Sequence, residues 1–266
     1  PGNNGGDGFV VAKELIKAKK SIDLFFPFKK SSQSIDCKYY SDKIDKNNFI
    51  SKVENLEQYD LIIDALFGTG LSRYISNNLT SLIKEVNTSS VPVYAIDIPS
   101  GINGENSSPQ PEAFKCQKTI TFFCKKKCHL LFPSKKYCGE VIVEDIGIKK
   151  EVIKTINPKI KKNDPNLWIK NFPFPSPIDH KYSRGLLIVN TGPKFQTGAA
   201  RLAGRSALRV GAGAVRLICD KDSAEVLEPQ ISVEMLSVIN EKNDLLKILK
   251  DKKITSVLVG PGNGVN

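Results

Sequence analysis

Short apolar runs and amphipathic stretches alternate along the first 150 residues of the chain. Apolar residues at helical spacing predict a helix over 8–17, and a strand-like run follows over 21–26. A second helical stretch spans 79–86. Continuous apolar runs predict further buried strands over 61–67, 91–97, 119–123 and 140–144. This order predicts an α/β fold with a doubly wound, mostly parallel sheet, in which active sites lie beyond the carboxyl ends of the strands.

Periodicity disappears between residues 149 and 180, where prolines accumulate as they do in a linker. The alternation then resumes. Strands are predicted over 185–190, 214–219 and 254–259, and helices over 198–210 and 244–249. We therefore predict a first domain over 1–150, a linker over 151–179 and a second α/β domain over 180–266.

Composition narrows the classes of function. The formal net charge is +11, but 33 of the 39 basic residues are lysine, whereas arginine is the residue that binds phosphates and bases through paired hydrogen bonds. We interpret the short lysine clusters, of which 125–127 is one, as mainly solvent-exposed, and we expect no nucleic-acid partner. No apolar run reaches about 18 residues, so we also expect no membrane span.

The six cysteines lack the spacing of a small disulfide-rich domain, which favours a reducing compartment such as the cytoplasm; an organellar location stays open. Cys124, Cys128, His129 and Cys138 invite a zinc site, but no paired C-x-x-C motif accompanies them, and we do not favour one. The chain begins at Pro1 rather than at a methionine and stops just after a strand and a glycine turn. We expect it to be a fragment truncated at both ends.

Three motifs carry the candidate chemistry. N-N-G-G-D-G, over 3–8, lies at the start of a helix, where free backbone N–H groups and the helix dipole favour a phosphate. D-A-L-F-G-T-G over 64–70 and D-I-P-S-G over 97–101 each begin with a carboxylate at the end of a buried strand. A single strand-terminal aspartate is often only a turn or helix cap. Because parallel strands end side by side, however, Asp64, Asp97 and the glycine motif can surround one ligand.

Together and in this order, the motifs resemble those of the NAD(P)H-hydrate epimerase family, the YjeF N-terminal domain. The resemblance implies a Rossmann-like fold and a substrate, NADHX or NADPHX, that is a nicotinamide cofactor with water added to its dihydronicotinamide ring. The enzyme would interconvert its R and S epimers, with a potassium ion held by Asn4, Asp64 and Ser100. The substrate-binding residues implied are Asn3, Asn4, Gly5, Gly6, Asp7, Gly68, Thr69, Gly70, Leu71, Ser72, Arg73, Tyr74 and Asp97.

Inversion at the hydroxyl-bearing carbon requires either departure of the hydroxyl or opening of the ring, and both routes transfer protons to and from oxygen. Asp97 is the catalytic acid–base candidate. Its alternative role is a hydrogen bond to the ribose or the amide of the substrate. The oxygen ligands of Asn, Asp and Ser side chains are of the kind that a hard monovalent cation accepts.

The second domain resembles the start of an NAD(P)H-hydrate dehydratase domain, which has a ribokinase-like fold. The resemblance rests on H-K-x-x-R-G over 180–185, G-A-A over 198–200 and G-P-G over 260–262. It implies that Ala199 and Gly262 line the dehydratase site, and that the full-length dehydratase uses ATP or ADP with Mg²⁺. The nucleotide loop and catalytic aspartate of that family have no counterpart here, so we expect no complete dehydratase.

Other interpretations stay open. Domains of this type also serve as non-catalytic scaffolds in RNA decay, although such a module would be expected to lose the motifs kept here. A small-molecule kinase of ribokinase fold is disfavoured by the domain in front, and a Rossmann dehydrogenase by the lack of G-x-G-x-x-G after a strand. The family's K-P-G turn is replaced by K-K-K-C-H over 125–129, which leaves the role of that loop open. A homo-oligomer also stays open.

Overall fold

The computed structural model describes residues 2–264; Pro1 and residues 265–266, the outer ends of the two predicted domains, lie outside the described residues. The chain forms two compact units, Pro1–Lys159 and Ile160–Asn266. The division falls inside the segment predicted as a linker, whose own bounds stay a prediction. Within the described residues, no helix is long and apolar enough to cross a membrane.

The first unit alternates helices with short strands. In chain order its elements are α1 (Asn3–Lys17), β1 (Leu24–Phe25), α2 (Ile35–Ser41), β2 (Phe49–Ile50), β3 (Ile62–Asp64), α3 (Asn77–Thr88), β4 (Val93–Ile96), β5 (Lys118–Phe122), α4 (Lys135–Cys138), β6 (Glu140–Glu144) and α5 (Glu151–Ile156). Strands β3, β4, β5 and β6 pair in that order, and β1 pairs with β2; all of these pairings are parallel. The predicted α/β fold with parallel sheets is confirmed.

Helix α3 fixes the position of the central strands. Leu79, Ile83 and Val86 follow one another at helical spacing and are buried in one apolar cluster. Val93 and Ala95 of β4 belong to the same cluster, as expected for alternate residues that point to one face of a strand. This packing stabilises the sheet from which the candidate site projects.

The second unit has the same alternation. Its elements are β7 (Leu186–Asn190), α6 (Gly198–Val210), β8 (Ala214–Cys219), α7 (Lys221–Leu227), β9 (Met235–Val238), α8 (Lys242–Leu249) and β10 (Ile254–Leu258). The strands form a parallel sheet in the order β10-β7-β8-β9. Gly204 lets α6 approach the sheet closely, since a β-carbon there would lie 3.2 Å from the Val215 side chain.

Candidate active site

Strands β3 and β4 deliver two aspartates to the same edge of the sheet. Asp64 is the last residue of β3, and Asp97 follows directly on Ile96, the last residue of β4. In the parallel register, Asp64 lies opposite Ala95. Asp64 is 2% exposed and Asp97 is 9% exposed, so both carboxylates are buried beyond the strand ends.

Ser100 joins the two loops that follow these strands. The Asp64 carboxylate accepts hydrogen bonds from the Ser100 backbone N–H and from the Ser100 hydroxyl, both at 2.6 Å. The Ser100 hydroxyl oxygen in turn accepts the backbone N–H of Phe67 at 2.9 Å. Burial has the larger effect on the pKa of Asp64 and raises it to about 6, whereas the hydrogen bonds from Ser100 lower it. The second and third motifs therefore form one hydrogen-bonded unit.

Helix α1 begins at Asn3, with Gly2 as its N-cap residue, rather than at residue 8 as predicted. The glycines that weaken helix propensity here are needed for close packing. A β-carbon on Gly8 would lie 2.5 Å from the β-carbon of Ala65, and one on Gly6 would lie 3.4 Å from the backbone of Cys37 in α2. The first motif thus packs directly on the loop after β3.

The close contact between Gly8 and Ala65 should make the stability of the protein sensitive to a side chain at position 8. We expect Gly8→Ala to lower the free energy of unfolding by about 1–3 kcal/mol, because the new methyl group overlaps that of Ala65. Adding Ala65→Gly should restore much of the loss. Chemical denaturation measures both, with Gly70→Ala as the control, since a β-carbon at Gly70 meets nothing within 4 Å. A Gly8→Ala protein more stable than the parent, as helix propensity alone requires, would contradict the packing.

Asn4 lies where the first and second motifs meet. A β-carbon on Gly68 would lie 3.2 Å from Asn4 Oδ1, so the absence of a side chain at Gly68 makes room for the amide. The Nδ2 atom of Asn4 is buried and has no hydrogen-bond partner among residues 2–264. Buried polar atoms are normally paired, so this amide marks a place where a ligand would complete the site.

The loop over 68–74, whose residues are all predicted to bind the substrate, is mostly open to solvent. Gly68 is half-buried, and Leu71 packs in the same apolar cluster as α3, which leaves its backbone rather than its side chain for a ligand. The backbone carbonyl of Arg73 accepts a 2.8 Å hydrogen bond from the Gln110 side chain. The remaining predicted contacts are all exposed: Thr69, Gly70, Ser72, Arg73 and Tyr74.

Asp97 is fixed on one side by residues in β5 and just after it. Its Oδ1 atom accepts a hydrogen bond from Lys126 Nζ at 2.5 Å and another from the Thr121 hydroxyl at 2.9 Å. Its backbone N–H donates to the carbonyl of Ile120 at 2.7 Å. Asp97 also has a φ of +66°, in the left-handed region that aspartate adopts more readily than most residues other than glycine and asparagine. The carboxylate is thus held in one orientation at the strand end.

His129 supports the same aspartate from its backbone side. Its Nδ1 accepts the backbone N–H of Lys126 at 3.0 Å, so Nε2 carries the proton and donates to the Asp97 carbonyl at 2.9 Å. Burial lowers the pKa of His129, which favours this neutral form. Both ring nitrogens are therefore engaged in structural hydrogen bonds.

A second carboxyl group lies near Asp97. Asp7, in the second turn of α1, has a raised pKa, first because it is partly buried and second because of the negative charge of Asp97. Two carboxyl groups in different environments can divide the roles of proton donor and proton acceptor. The negative charge of Asp97, in the third motif, therefore acts on Asp7 of the first motif.

In the second unit, Ala199 and Gly262 also come together. Gly262 has a φ of +78°, and a β-carbon on it would lie 3.9 Å from the β-carbon of Ala199. A β-carbon on Gly192, just after β7, would overlap the carbonyl of Gly262. Two glycine turns, at Gly192 and Gly262, thus meet at the start of α6, and the first backbone N–H groups of a helix have no partner within the helix.

The sequence does not single out Thr121 or Lys126 as functional residues, and it points to His129 only as a ligand of a zinc site that is not favoured. The sequence predicts that the cluster 125–127 is mainly solvent-exposed, and this holds for Lys125 and Lys127. For Lys126 it is wrong, because its side chain is only 22% exposed and pairs with a buried carboxylate. One feature of the sequence could have indicated Lys126. A run of lysines follows the carboxyl end of a strand, as Asp64 and Asp97 do on neighbouring strands.

Comparison with known proteins gives consistent matches across the chain. The family model for the YjeF-related protein N-terminus matches residues 1–128, and that for NAD(P)H-hydrate dehydratase matches residues 187–266. The NAD(P)H-hydrate epimerase of Weissella koreensis is 36% identical over 165 residues, which cover 61% of this chain and 75% of the relative.

Two longer relatives match both units. The bifunctional NAD(P)H-hydrate repair enzyme Nnr of Dictyoglomus turgidum is 30% identical over 281 residues, covering 100% of this chain and 55% of the relative. Its Escherichia coli namesake is 28% identical over 275 residues, covering 99% of this chain and 51% of the relative. The chain thus spans about half the length of these curated bifunctional relatives.

Proposed function

The chain belongs to the NAD(P)H-hydrate epimerase family, and from this premise we propose that the protein interconverts the R and S epimers of NADHX and NADPHX at Asp97. The observation that carries the proposal is the one-sided binding of the Asp97 carboxylate. Oδ1 has two donors, whereas Oδ2 has no hydrogen-bond donor among residues 2–264. Oδ2 is therefore the oxygen that can exchange a proton with a substrate.

The chemistry follows from that geometry. The hydroxyl-bearing carbon of the substrate is bonded to the ring nitrogen. In the ring-opening route, Asp97 Oδ2 takes the hydroxyl proton while the carbon–nitrogen bond breaks, and the electron pair of that bond stays on nitrogen. Closure on the other face of the resulting aldehyde, with return of the proton to oxygen, inverts the centre. Asp7, with its raised pKa, retains a proton to higher pH than an ordinary aspartate and can donate it to the ring nitrogen as the carbon–nitrogen bond breaks, then take it back on closure.

A potassium ion would fit Asn4, Asp64 and Ser100. Their side chains supply an amide, a carboxylate and a hydroxyl oxygen, and the absence of a side chain at Gly68 leaves space beside Asn4 Oδ1, the amide atom that a cation would bind. Asp64 is only 2% exposed, so a bound cation would offset the cost of its negative charge. The ion would contribute positive charge and order the loops that these residues begin.

Replacing Arg73 tests whether the exposed loop over 68–74 binds the substrate. We expect Arg73→Ala to raise the KM for NADPHX about tenfold with little change in kcat, because a guanidinium that binds phosphate contributes equally to the ground and transition states. Lys84→Ala, which removes an exposed cation from α3, is the matched control. A fall in kcat with unchanged KM would contradict a purely binding role for Arg73.

For the whole protein we propose a second activity, the dehydration of the S form back to NAD(P)H with ATP or ADP and Mg²⁺. The match of residues 187–266 to the dehydratase family supports it. In this proposal, Ala199 and Gly262 line the substrate site of the second unit, where a larger side chain would close the space between the turns.

The epimerase proposal is tested with one separated epimer. The protein is incubated with it, and the appearance of the other epimer is followed by chromatography against a buffer blank. Interconversion faster than in the blank supports the proposal. A folded protein that leaves the ratio at the rate of the blank would instead favour the scaffold interpretation.

A further inference from the structure

Lys126 differs from the lysines on either side of it. Its ammonium group donates to three acceptors of the protein: Asp97 Oδ1 at 2.5 Å, Thr121 Oγ1 at 2.7 Å and the Phe122 carbonyl at 3.0 Å. An ammonium group has three protons, so these bonds use all of them. Lys126 therefore has no proton left for a substrate unless it leaves this position.

The same bonds restrict the carboxylate of Asp97. Thr121, which is completely buried, donates to the oxygen that Lys126 also contacts, and it accepts from Lys126 in turn. The result is a closed triangle of side chains on one side of Asp97. Rotation of the carboxylate would break two hydrogen bonds at once, so Oδ2 stays the carboxylate oxygen without a donor among residues 2–264.

We propose that Lys126 is a positioning residue for the reaction, which acts through Asp97 by holding Oδ1 and leaving Oδ2 for the substrate. The proposal rests on the proposed epimerase function for its kinetic consequence. The triangle of hydrogen bonds among Lys126, Thr121 and Asp97, which we call the clamp, is a property of the folded chain and does not depend on that function. A positive charge next to a buried carboxylate also reduces the cost of burying the negative charge.

The kinetic test compares Lys126→Met with Lys125→Met, which removes an exposed neighbouring lysine. We expect Lys126→Met to lower kcat about 10- to 100-fold with less than a roughly threefold change in KM, because a misplaced acid–base group slows the chemical step. Lys126→Arg should recover part of the activity, since it keeps the charge. Lys125→Met should have the parent rate.

A double-mutant cycle separates positioning from an independent role. If Lys126 acts through Asp97, adding Lys126→Met to an Asp97→Asn protein should lower the residual rate less than about twofold. Full additivity of the two losses would overturn the proposal. So would a rise in KM at unchanged kcat, which would mean that Lys126 binds the substrate, or an equal loss in Lys125→Met.

A stability cycle keeps the clamp testable if the protein shows no epimerisation. Lys126→Met should shift the denaturation midpoint down further in the parent, where it leaves Asp97 buried without its cation, than in the Asp97→Asn protein. Equal shifts in the two backgrounds would overturn the clamp. Absence of epimerisation with unequal shifts would overturn the proposed function alone.

Discussion

We expect an Asp97→Asn variant to interconvert the two epimers about 10²- to 10⁴-fold more slowly than the parent, the usual contribution of a general acid–base group. Asparagine keeps the size of the side chain, and its carbonyl oxygen can still accept from Thr121 and Lys126. It cannot take a proton from the substrate. The rate with one separated epimer, followed by chromatography, measures the effect.

Two controls show that the loss is chemical. Asp60→Asn removes an exposed carboxylate just before β3 and should have the parent rate. Asp97→Asn leaves the Lys126 cation without its counter-ion, so the variant is also compared with Asp97→Asn/Lys126→Met, in which the pair is neutral. That double variant should regain stability without regaining activity. An Asp97→Asn protein within about threefold of the parent rate would limit Asp97 to hydrogen bonding.

The strand-end aspartates could be predicted because their position depends on a short and regular pattern. A buried apolar run fixes where a parallel strand ends, and the register of neighbouring strands then places Asp64 and Asp97 at one edge. The start of α1 could not be predicted in the same way. Residues 3–8 carry no apolar periodicity, and three glycines disfavour a helix; only the packing of Gly6 and Gly8 on distant segments accounts for it.

Lys126 shows a different limit of prediction from sequence. Three consecutive lysines have the same chemistry, so residue type alone does not tell which of them points inward. The structure decides it: Lys126 is the N-cap residue of a short 3₁₀ turn over Lys127–His129, and His129 binds its backbone N–H. The side chain then lies over β5, within reach of Asp97. A turn of this kind leaves no periodic signal in a sequence.

The protein's stability should depend on pH through Asp64, and potassium should change that dependence. The pKa of Asp64 is about 6 in the folded state, against 3.8 for the unperturbed group. Between these pH values the folded chain keeps a proton that the unfolded chain has lost. Its contribution to the free energy of unfolding is therefore complete below about pH 4 and is lost as pH rises through 6, by about 3 kcal/mol in total.

A cation at Asn4, Asp64 and Ser100 would favour the ionised carboxylate and so oppose this loss. In tetramethylammonium chloride, we expect the difference in stability between the parent and Asp64→Asn to fall from pH 4 to pH 7. Potassium chloride at the same ionic strength should restore it at pH 7 and have little effect at pH 4.5, where Asp64 is protonated. Equal stabilisation of Asp64→Asn by potassium would mean a general salt effect. Since Asp64 also accepts both hydrogen bonds that join it to Ser100, a specific potassium effect would connect ion binding to the order of the loops around Asp97.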